Sequence, residues 1–351
     1  TYTVNCMRWC TEIKSWAHVT MARDLNRWKV TVGDSTSEQE EERVLHRKKN
    51  EEDSSGCQRF EQGAIREEDK KTRSISSYTF YSVLGEGSFG KVMLAKLGDK
   101  EPYVAIKSIN NTEETEIINN EAEVLKISRE SPFLCRGIAA FQTQYNQRHA
   151  FFIMEFLSGG SLEDELKRHG SLEMDRVLFY SAEMICGLQF LHGRGIIHRD
   201  IKPLNILLDN EGHVRISDFG LAELNIFRDD TTTGWAGTLG FMAPEILEEK
   251  PYNAAVDWWS LGITICEMAT GKAPFSNDNS EELIHSIVTC EPEIPDGLDE
   301  GLKDLLEKLL KKKPKQRLGV EGKIRRHRFF QSIDWVALEE KGAQPPFQPE
   351  A

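Results

Sequence analysis

The sequence predicts a bilobal α+β protein, in which a small antiparallel-sheet lobe with one main helix precedes a larger helical lobe. Three observations predict it. Between residues 78 and 158, short runs rich in β-branched and aromatic residues are bounded by glycine and polar turns, as half-buried strands are. One helical repeat interrupts them, with Ile117, Ile118, Glu121, Val124 and Leu125 spaced to share a face. Beyond Gly159-Gly160 the apolar pattern takes the helix period, in long amphipathic segments around 177–191, 255–269 and 302–310.

Taken in order, residues 1–33 carry three tryptophans among polar residues and give no assignable pattern. Residues 34–77 are dense in Glu, Lys, Arg and Ser, including Glu38-Gln39-Glu40-Glu41-Glu42 and Asp69-Lys70-Lys71. Such a stretch buries too little apolar surface to offset its ordering entropy, so residues 1–77 are expected to be a polar, largely disordered extension or linker. From Tyr78 the texture changes. Residues 80–84 and 92–95 read as strands flanking a glycine-rich turn, Val104-Ala105-Ile106-Lys107 as a third strand, and Phe151-Phe152-Ile153-Met154 as a buried one.

Length, 39% hydrophobic and 29% charged residues suit an ordinary globular chain with a sizeable core. The seven cysteines are odd in number and scattered, with no disulfide framework and no paired zinc spacing, which fits a reducing compartment. The longest apolar runs fall far short of the roughly 20 residues that span a bilayer, so no transmembrane segment is expected. Residues 1–77 are charge-balanced, and the whole net charge of −13 falls on residues 78–351. An acidic surface argues against nucleic acid as a partner and is compatible with basic protein substrates.

The stretch Gly85-Glu86-Gly87-Ser88-Phe89-Gly90-Lys91-Val92 answers to three templates. A dinucleotide fingerprint must open a helix, whereas Val92-Met93-Leu94-Ala95 reads as a strand. A Walker loop needs Ser or Thr where Val92 stands. The third template, G-x-G-x-x-G-x-V followed by V-A-I-K, fits throughout, with Lys107 placed 22 residues after Gly85. Missing Cβ atoms let such a hairpin close over phosphates, whose oxygens accept its backbone N–H groups. Lys107 then needs a carboxylate partner. Glu121 is the best placed, sharing a helix face with Ile118 and Leu125, although Glu116 and Glu123 lie close by.

The densest signal is His198-Arg199-Asp200-Ile201-Lys202-Pro203-Leu204-Asn205, followed by Asp218-Phe219-Gly220, whose Asp lies 13 residues after the Asn. A polar surface turn after a buried helix is common. One that also carries Asp, Lys, Asn and D-F-G at these offsets is the pattern of a phosphoryl-transfer loop. With these motifs, residues 78–351 resemble the eukaryotic Ser/Thr protein kinases of the AGC group. The nearest likeness is protein kinase C of the calcium-independent, delta-like type. Lys202 is the feature similar to Ser/Thr rather than tyrosine kinases. Gly237 to Glu245 resembles the close of an activation segment, and Asp257-Trp258-Trp259-Ser260-Leu261-Gly262 the helix that braces the catalytic loop. Proteins of this fold that serve only as scaffolds or allosteric modules usually lose the strand Lys, the loop Asp or the D-F-G Asp, and all three are present here.

The resemblance implies an ATP- and Mg²⁺-dependent enzyme transferring the γ-phosphate to Ser/Thr hydroxyls of intracellular signalling proteins. Asp200 would be the catalytic base, Lys202 would steady the transferring group, and Lys107 with Glu121 would clamp the α- and β-phosphates. Asn205 and Asp218 would hold the metal. ATP would be bound by Leu84, Gly85, Glu86, Gly87, Ser88, Phe89, Gly90, Lys91 and Val92, by Ala105 and Lys107, and by Met154, Glu155, Leu157 and Leu207. Met154 would guard the back of the adenine pocket, and Glu155 and Leu157 would offer backbone groups to the base. Glu245, Asp257 and Arg317 would be structural, with Arg317 pairing with Glu245. The implied boundaries are 78–334 for the kinase domain, divided into 78–158 and 159–334, and 335–351 for the start of the C-terminal tail.

Departures from the family pattern adjust these expectations. Relatives place a phosphorylated Thr where this sequence has Gly234; Thr231, Thr232 and Thr233 lie beside it, and Thr238 follows in Gly237-Thr238-Leu239-Gly240-Phe241. Phosphorylation by an upstream kinase is therefore expected on one of these threonines, if at all. Acidic residues that read basic substrates in relatives are replaced by Ser161 and Leu204, while Glu267 remains and Glu163, Asp164 and Glu165 are near. Residues 1–77 carry no His/Cys-rich lipid-binding module. The expected location is the cytoplasm, open to the nucleus, with no peripheral membrane association evident in the sequence.

Overall fold

The computed structural model describes residues 75–87, 90–109, 115–142, 150–320 and 323–349. The polar extension expected over residues 1–77 lies almost wholly outside the described residues, as do Ser88 and Phe89 of the glycine-rich stretch. The described chain falls into two compact units. One comprises residues up to Glu86 together with Val92–Tyr103; the other comprises Gly87–Lys91 and everything from Val104 onward.

The first unit carries most of two adjacent strands, β1 (Thr79–Gly87) and β2 (Gly90–Lys96). Alternating burial in β2 places Met93 and Ala95 inside, as period-two patterning requires. The Tyr81 and Tyr103 rings meet edge to face at 5.4 Å, and the Lys96 ammonium lies 4.7 Å from the centre of the Tyr103 ring.

In the second unit, β5 (Ala150–Glu155) lies between β3 (Tyr103–Ile109) and β4 (Gly137–Gln142), both antiparallel to it. The register sets Lys107 opposite Phe152 and Ala105 opposite Met154. Helix α1 (Thr115–Ile127) follows β3 and buries Ile118, Glu121, Val124 and Leu125, the helical spacing anticipated from the sequence. Its buried glutamate is the exception on an apolar face, and it has a cationic partner described below.

The rest of the unit is mainly helical: α2 (Leu162–His169), α3 (Met174–His192), α4 (Pro244–Leu247), α5 (Ala255–Thr270), α6 (Ser280–Thr289), α7 (Glu300–Leu309) and α8 (Trp335–Glu339). Helix α2 starts on a capping box, in which Ser161 accepts from the Asp164 N–H and Asp164 reaches back to the Ser161 N–H. Helix α7 buries Leu302, Leu305, Leu306 and Leu309, a stripe of positions i, i+3, i+4 and i+7. One short hairpin, β6 (Ile206–Leu208) with β7 (Val214–Ile216), sits among these helices and joins the main apolar core through Ile206, Leu208, Val214 and Ile216. The α+β class expected from the sequence is thus the one observed, and the four strands and four helical segments that the patterns placed all occur. Strands β4, β6 and β7 went unanticipated.

A second, smaller core forms around Trp259, which stacks on Phe275 at 5.7 Å, with Ile246, Tyr252, Ile263 and Ile287 around it. At its edge Arg317 forks onto Glu245, with Nη1–Oε1 at 2.7 Å and Nη2–Oε2 at 3.0 Å, and also donates to the Ala255 carbonyl at 2.7 Å. Both side chains are buried. Such a pair is costly to break from one side, because the remaining carboxylate keeps its desolvation penalty without its partner. Arg317→Ala is therefore expected to destabilise the fold by about 3–5 kcal/mol, read as a shift of the chemical denaturation midpoint. A change below about 1 kcal/mol would show that water or a neighbouring cation takes over from the guanidinium.

Candidate active site

The segment between α3 and β6 makes a tight turn whose shape is imposed by one carboxylate. Asp257, fully buried at the start of α5, accepts the backbone N–H groups of His198 and Arg199, each at 2.9 Å, and faces His192 Nε2 at 2.7 Å. Desolvation pushes the Asp257 carboxyl up, but the His192 ring and the converging donors override it and hold the group below the usual carboxylate range. Arg199 consequently stands in a left-handed conformation, φ 69°, which a non-glycine residue adopts only when its surroundings over-determine it. His198 locks the next turn. Its Nε2 donates to the Ser217 carbonyl at 3.0 Å, its Nδ1 accepts the Asp200 N–H at 3.2 Å, and its ring meets Phe219 edge on.

This geometry presents Asp200, which is itself 6% exposed. Its Oδ2 takes the Asn205 amide N–H at 3.0 Å and the Lys202 ammonium at 2.8 Å. Its Oδ1 accepts the Thr238 hydroxyl at 2.7 Å, and that hydroxyl oxygen in turn accepts from Lys202 at 2.7 Å. Asp200, Lys202, Asn205 and Thr238 thus form one closed polar cluster. Gly237 permits the approach of the Thr238 segment: a Cβ there would sit 2.6 Å from the Arg199 carbonyl oxygen.

A second cluster gathers around Lys107. Its Nζ donates to Glu121 Oε1 and Oε2 at 2.7 and 2.9 Å and to Asp218 Oδ1 at 2.8 Å. Burial alone would lower the Lys107 pKa, but the Glu121 and Asp218 carboxylates raise it above the ordinary value, so the ammonium is kept. Desolvation acts on Asp218 in the opposite sense, and the Lys107 charge holds it below the usual range. Asp218 also adopts a left-handed backbone, φ 61°. Gly220 leaves room for the pair, since a Cβ on it would lie 2.9 Å from Lys107 Nζ. The two clusters are adjoining: Ser217, beside Asp218, gives both its N–H and its hydroxyl to the Asn205 carbonyl, at 2.9 and 3.0 Å.

Of the other expected residues in this unit, Ala105 and Met154 face each other on β3 and β5 and are buried, while Leu157 and Leu207 are partly exposed. The Glu155 N–H is taken by the Arg136 carbonyl at 3.0 Å, so the backbone group Glu155 can offer is its carbonyl. Leu84, Gly85 and Glu86 occur within β1, Gly87 ends it, and Gly90, Lys91 and Val92 begin β2. Thr231 and Thr233 are exposed, and Thr232 exchanges both backbone hydrogen bonds with Tyr252. Sequence reasoning missed His192, Ser217, Glu223 and Tyr252 as contributors, because each acts through a partner remote in sequence that no local motif announces. Asn205 gives its side-chain amide N–H to Asp200, which leaves its side-chain Oδ1, like the Asp218 carboxylate, as an oxygen that could act as a metal donor. Two hard oxygen donors of this kind suit Mg²⁺.

Comparison with known proteins follows from this geometry. Residues 78–330 match the protein kinase domain family, and the chain belongs to it. Within that family it is similar to protein kinase C delta type from Rattus norvegicus, 45% identical over 280 residues, covering 78% of this chain and 41% of the relative. A putative protein kinase C delta type homolog from Drosophila melanogaster is 42% identical over 80% of this chain and 43% of the relative. Protein kinase C epsilon type from Oryctolagus cuniculus is 38% identical over 82% and 40%. The chain spans about two-fifths of the length of these curated relatives. The resemblance to the protein kinase C type is therefore borne out. Among the described residues, no helix is long and apolar enough to cross a membrane.

Two measurements probe the frame of the site. Asp257→Asn puts an amide donor where two backbone N–H groups need an acceptor, and is expected to cost about 1–3 kcal/mol of stability, measured by denaturant titration. Glu267, on α5, is pushed from 4.5 to about 7 by burial and then by the Glu163 carboxylate. A carboxyl whose folded pKa is raised contributes stability below its unfolded value and loses it as pH rises through the folded one. Stability should thus decline between pH 4.5 and 7 from this group, and Glu267→Gln should flatten that part of the pH profile. An unchanged profile would place the Glu267 carboxyl in ordinary solvent.

Proposed function

We propose that residues 78–334 are an ATP-dependent Ser/Thr protein kinase domain, with residues 335–351 as the start of its C-terminal tail and residues 1–77 as an extension preceding it. The observation that carries the reading is the Asp200 carboxylate, held by Lys202 and Asn205 and already accepting a threonine hydroxyl at 2.7 Å. A carboxylate so placed is suited to take the proton of an acceptor hydroxyl while that oxygen attacks the γ-phosphorus in line and the bond to the β-γ bridging oxygen breaks, releasing ADP. Lys202, shared between Asp200 and Thr238, would steady the charge on the moving phosphoryl group.

Lys107, kept as an ammonium by two carboxylates, would meet the α- and β-phosphates, with Glu121 fixing its direction. Asn205 and Asp218 would hold Mg²⁺, which when bound neutralises the β- and γ-phosphate oxygens. The glycine-rich residues 84–92 would cover the phosphates. Ala105, Met154, Leu157 and Leu207, with the Glu155 carbonyl, would receive the base. Protein substrates are proposed to be read in part through the acidic residues Glu163 and Glu267, with the apolar Leu204, half exposed, in place of a further acid. Action in the cytoplasm, with access to the nucleus, fits this reading. The relatives' names, protein kinase C delta and epsilon type, support phosphotransfer as the chemistry.

The test is γ-phosphate transfer from Mg-ATP to a Ser/Thr peptide library, with Asp200→Asn as control. That change should lower kcat about 10²- to 10⁴-fold with ATP affinity held within a few-fold. A wild-type protein that binds ATP and transfers nothing to any peptide would refute the proposal.

A further inference from the structure

Arg199 stands next to Asp200 in the same strained turn, and three groups of this chain hold its guanidinium. Nε donates to the Leu221 carbonyl at 2.6 Å, and Nη1 donates to the Tyr252 hydroxyl at 3.1 Å and pairs with Glu223 Oε2 at 2.8 Å. Residue 223 is doubly committed, because its backbone exchanges N–H and carbonyl with Ile197, both at 2.9 Å. Tyr252, a buried member of the smaller core, exchanges its own backbone pair with Thr232 at 2.8 and 2.9 Å. The segment after Asp218 is therefore stitched at two points, 197 to 223 and 232 to 252, with Arg199 cross-linking both.

We propose that Glu223 and Tyr252 are positioning residues that hold Arg199, and through it the Asp200 turn, in the working arrangement without a phosphate on the activation segment. The proposal rests on the phosphotransfer reading above. Two further features support it. Gly234, where the sequence leads one to look for a phosphorylated threonine, has no hydroxyl and stands at φ 103°, a conformation that disfavours any residue with a Cβ. A phosphate on Thr231, Thr232 or Thr233 would carry about −1.5 to −2 charges, and on approaching Arg199 it would meet the Glu223 carboxylate already seated there. The neighbouring Asp229 and Asp230 add like charge. The Glu223 carboxylate, supplied from within the chain, takes the place of a phosphate added by modification, so the turn is permanently rather than conditionally braced.

The test uses the full chain, treated with a protein phosphatase until its intact mass carries no phosphate. Kinetics of peptide phosphorylation are read beside hydrogen exchange of the Ile197, Glu223, Thr232 and Tyr252 amides. Phosphate-free wild type is expected to keep its transfer rate and the protection of all four amides. Glu223→Gln should lower kcat about ten- to a hundredfold, leave the KM for ATP within about twofold, and speed exchange at Ile197 and Glu223. Glu223→Asp should recover most of the loss, and Tyr252→Phe should show a smaller fall of the same kind. Phosphate-free wild type that loses transfer or the protection of Thr232 and Tyr252, or a Glu223→Gln protein that matches wild type in rate and exchange, would overturn the proposal. If no sample transfers phosphate while the exchange pattern changes as described, the phosphotransfer reading fails and the Glu223–Arg199 brace stands.

Discussion

The buried carboxylate of Asp257 is the constraint on which the site depends. A fully desolvated charge persists only when donors surround it, and here the donors are two consecutive backbone amides and a histidine ring. Hydrogen bonds to a charged acceptor are worth about 1.5–3 kcal/mol each, enough to hold Arg199 in a conformation that costs about 1–3 kcal/mol on its own. The turn so fixed decides where Asp200, Lys202 and Asn205 point. Helix α5 carries Asp257 on a face otherwise packed into both cores through Trp258, Trp259, Leu261 and Ile265. The aim of the Asp200 side chain is thus inherited from the rigidity of a helix whose residues it does not share.

Around this fixed turn, charge is distributed so that each ionised group has a partner of opposite sign. Lys107 lies between Glu121 and Asp218, Lys202 between Asp200 and Thr238, and Arg199 between Glu223 and Tyr252. Each cation joins residues far apart in the chain, from β3 to α1 and the D-F-G turn, or from the 198–205 turn to residues 223–252. Where both partners are buried, as in Lys107–Glu121, such a pair is stronger than at the surface and costs more to leave half-made, so it selects one arrangement of the segments that carry it. The Glu245–Arg317 fork does the same for the smaller core at the far end of the activation segment.

Much of this was legible in the sequence. The residues Lys107, Asp200, Lys202, Asn205 and Asp218 were found because they match the motifs of the protein kinases that the sequence resembles, and Glu121 because it shares a helix face with Ile118 and Leu125. In the structure Lys107 meets Glu121 and Asp218, and Arg317 meets Glu245. Strands of three residues such as β6 and β7 carry too little pattern to recognise, since their stability comes from the helices that cover them rather than from their own alternation. Thr238 was identified only as part of a segment, and its place on the Asp200 carboxylate follows from the backbone path through Gly237.

What the sequence by itself determined was the order and type of most of the elements and the set of candidate site residues, because helix period, strand alternation and motif spacing are properties of neighbouring residues. The tertiary structure decided the occupancy of Arg199. Leu221, Glu223 and Tyr252 are ordinary in composition and lie 22 to 53 positions further along the chain. They become one binding site for a guanidinium only when the 197–223 and 232–252 bridges close. Those bridges are long-range contacts, whose loop-closure entropy is offset by the packing of the whole unit and which leave no local mark in the chain.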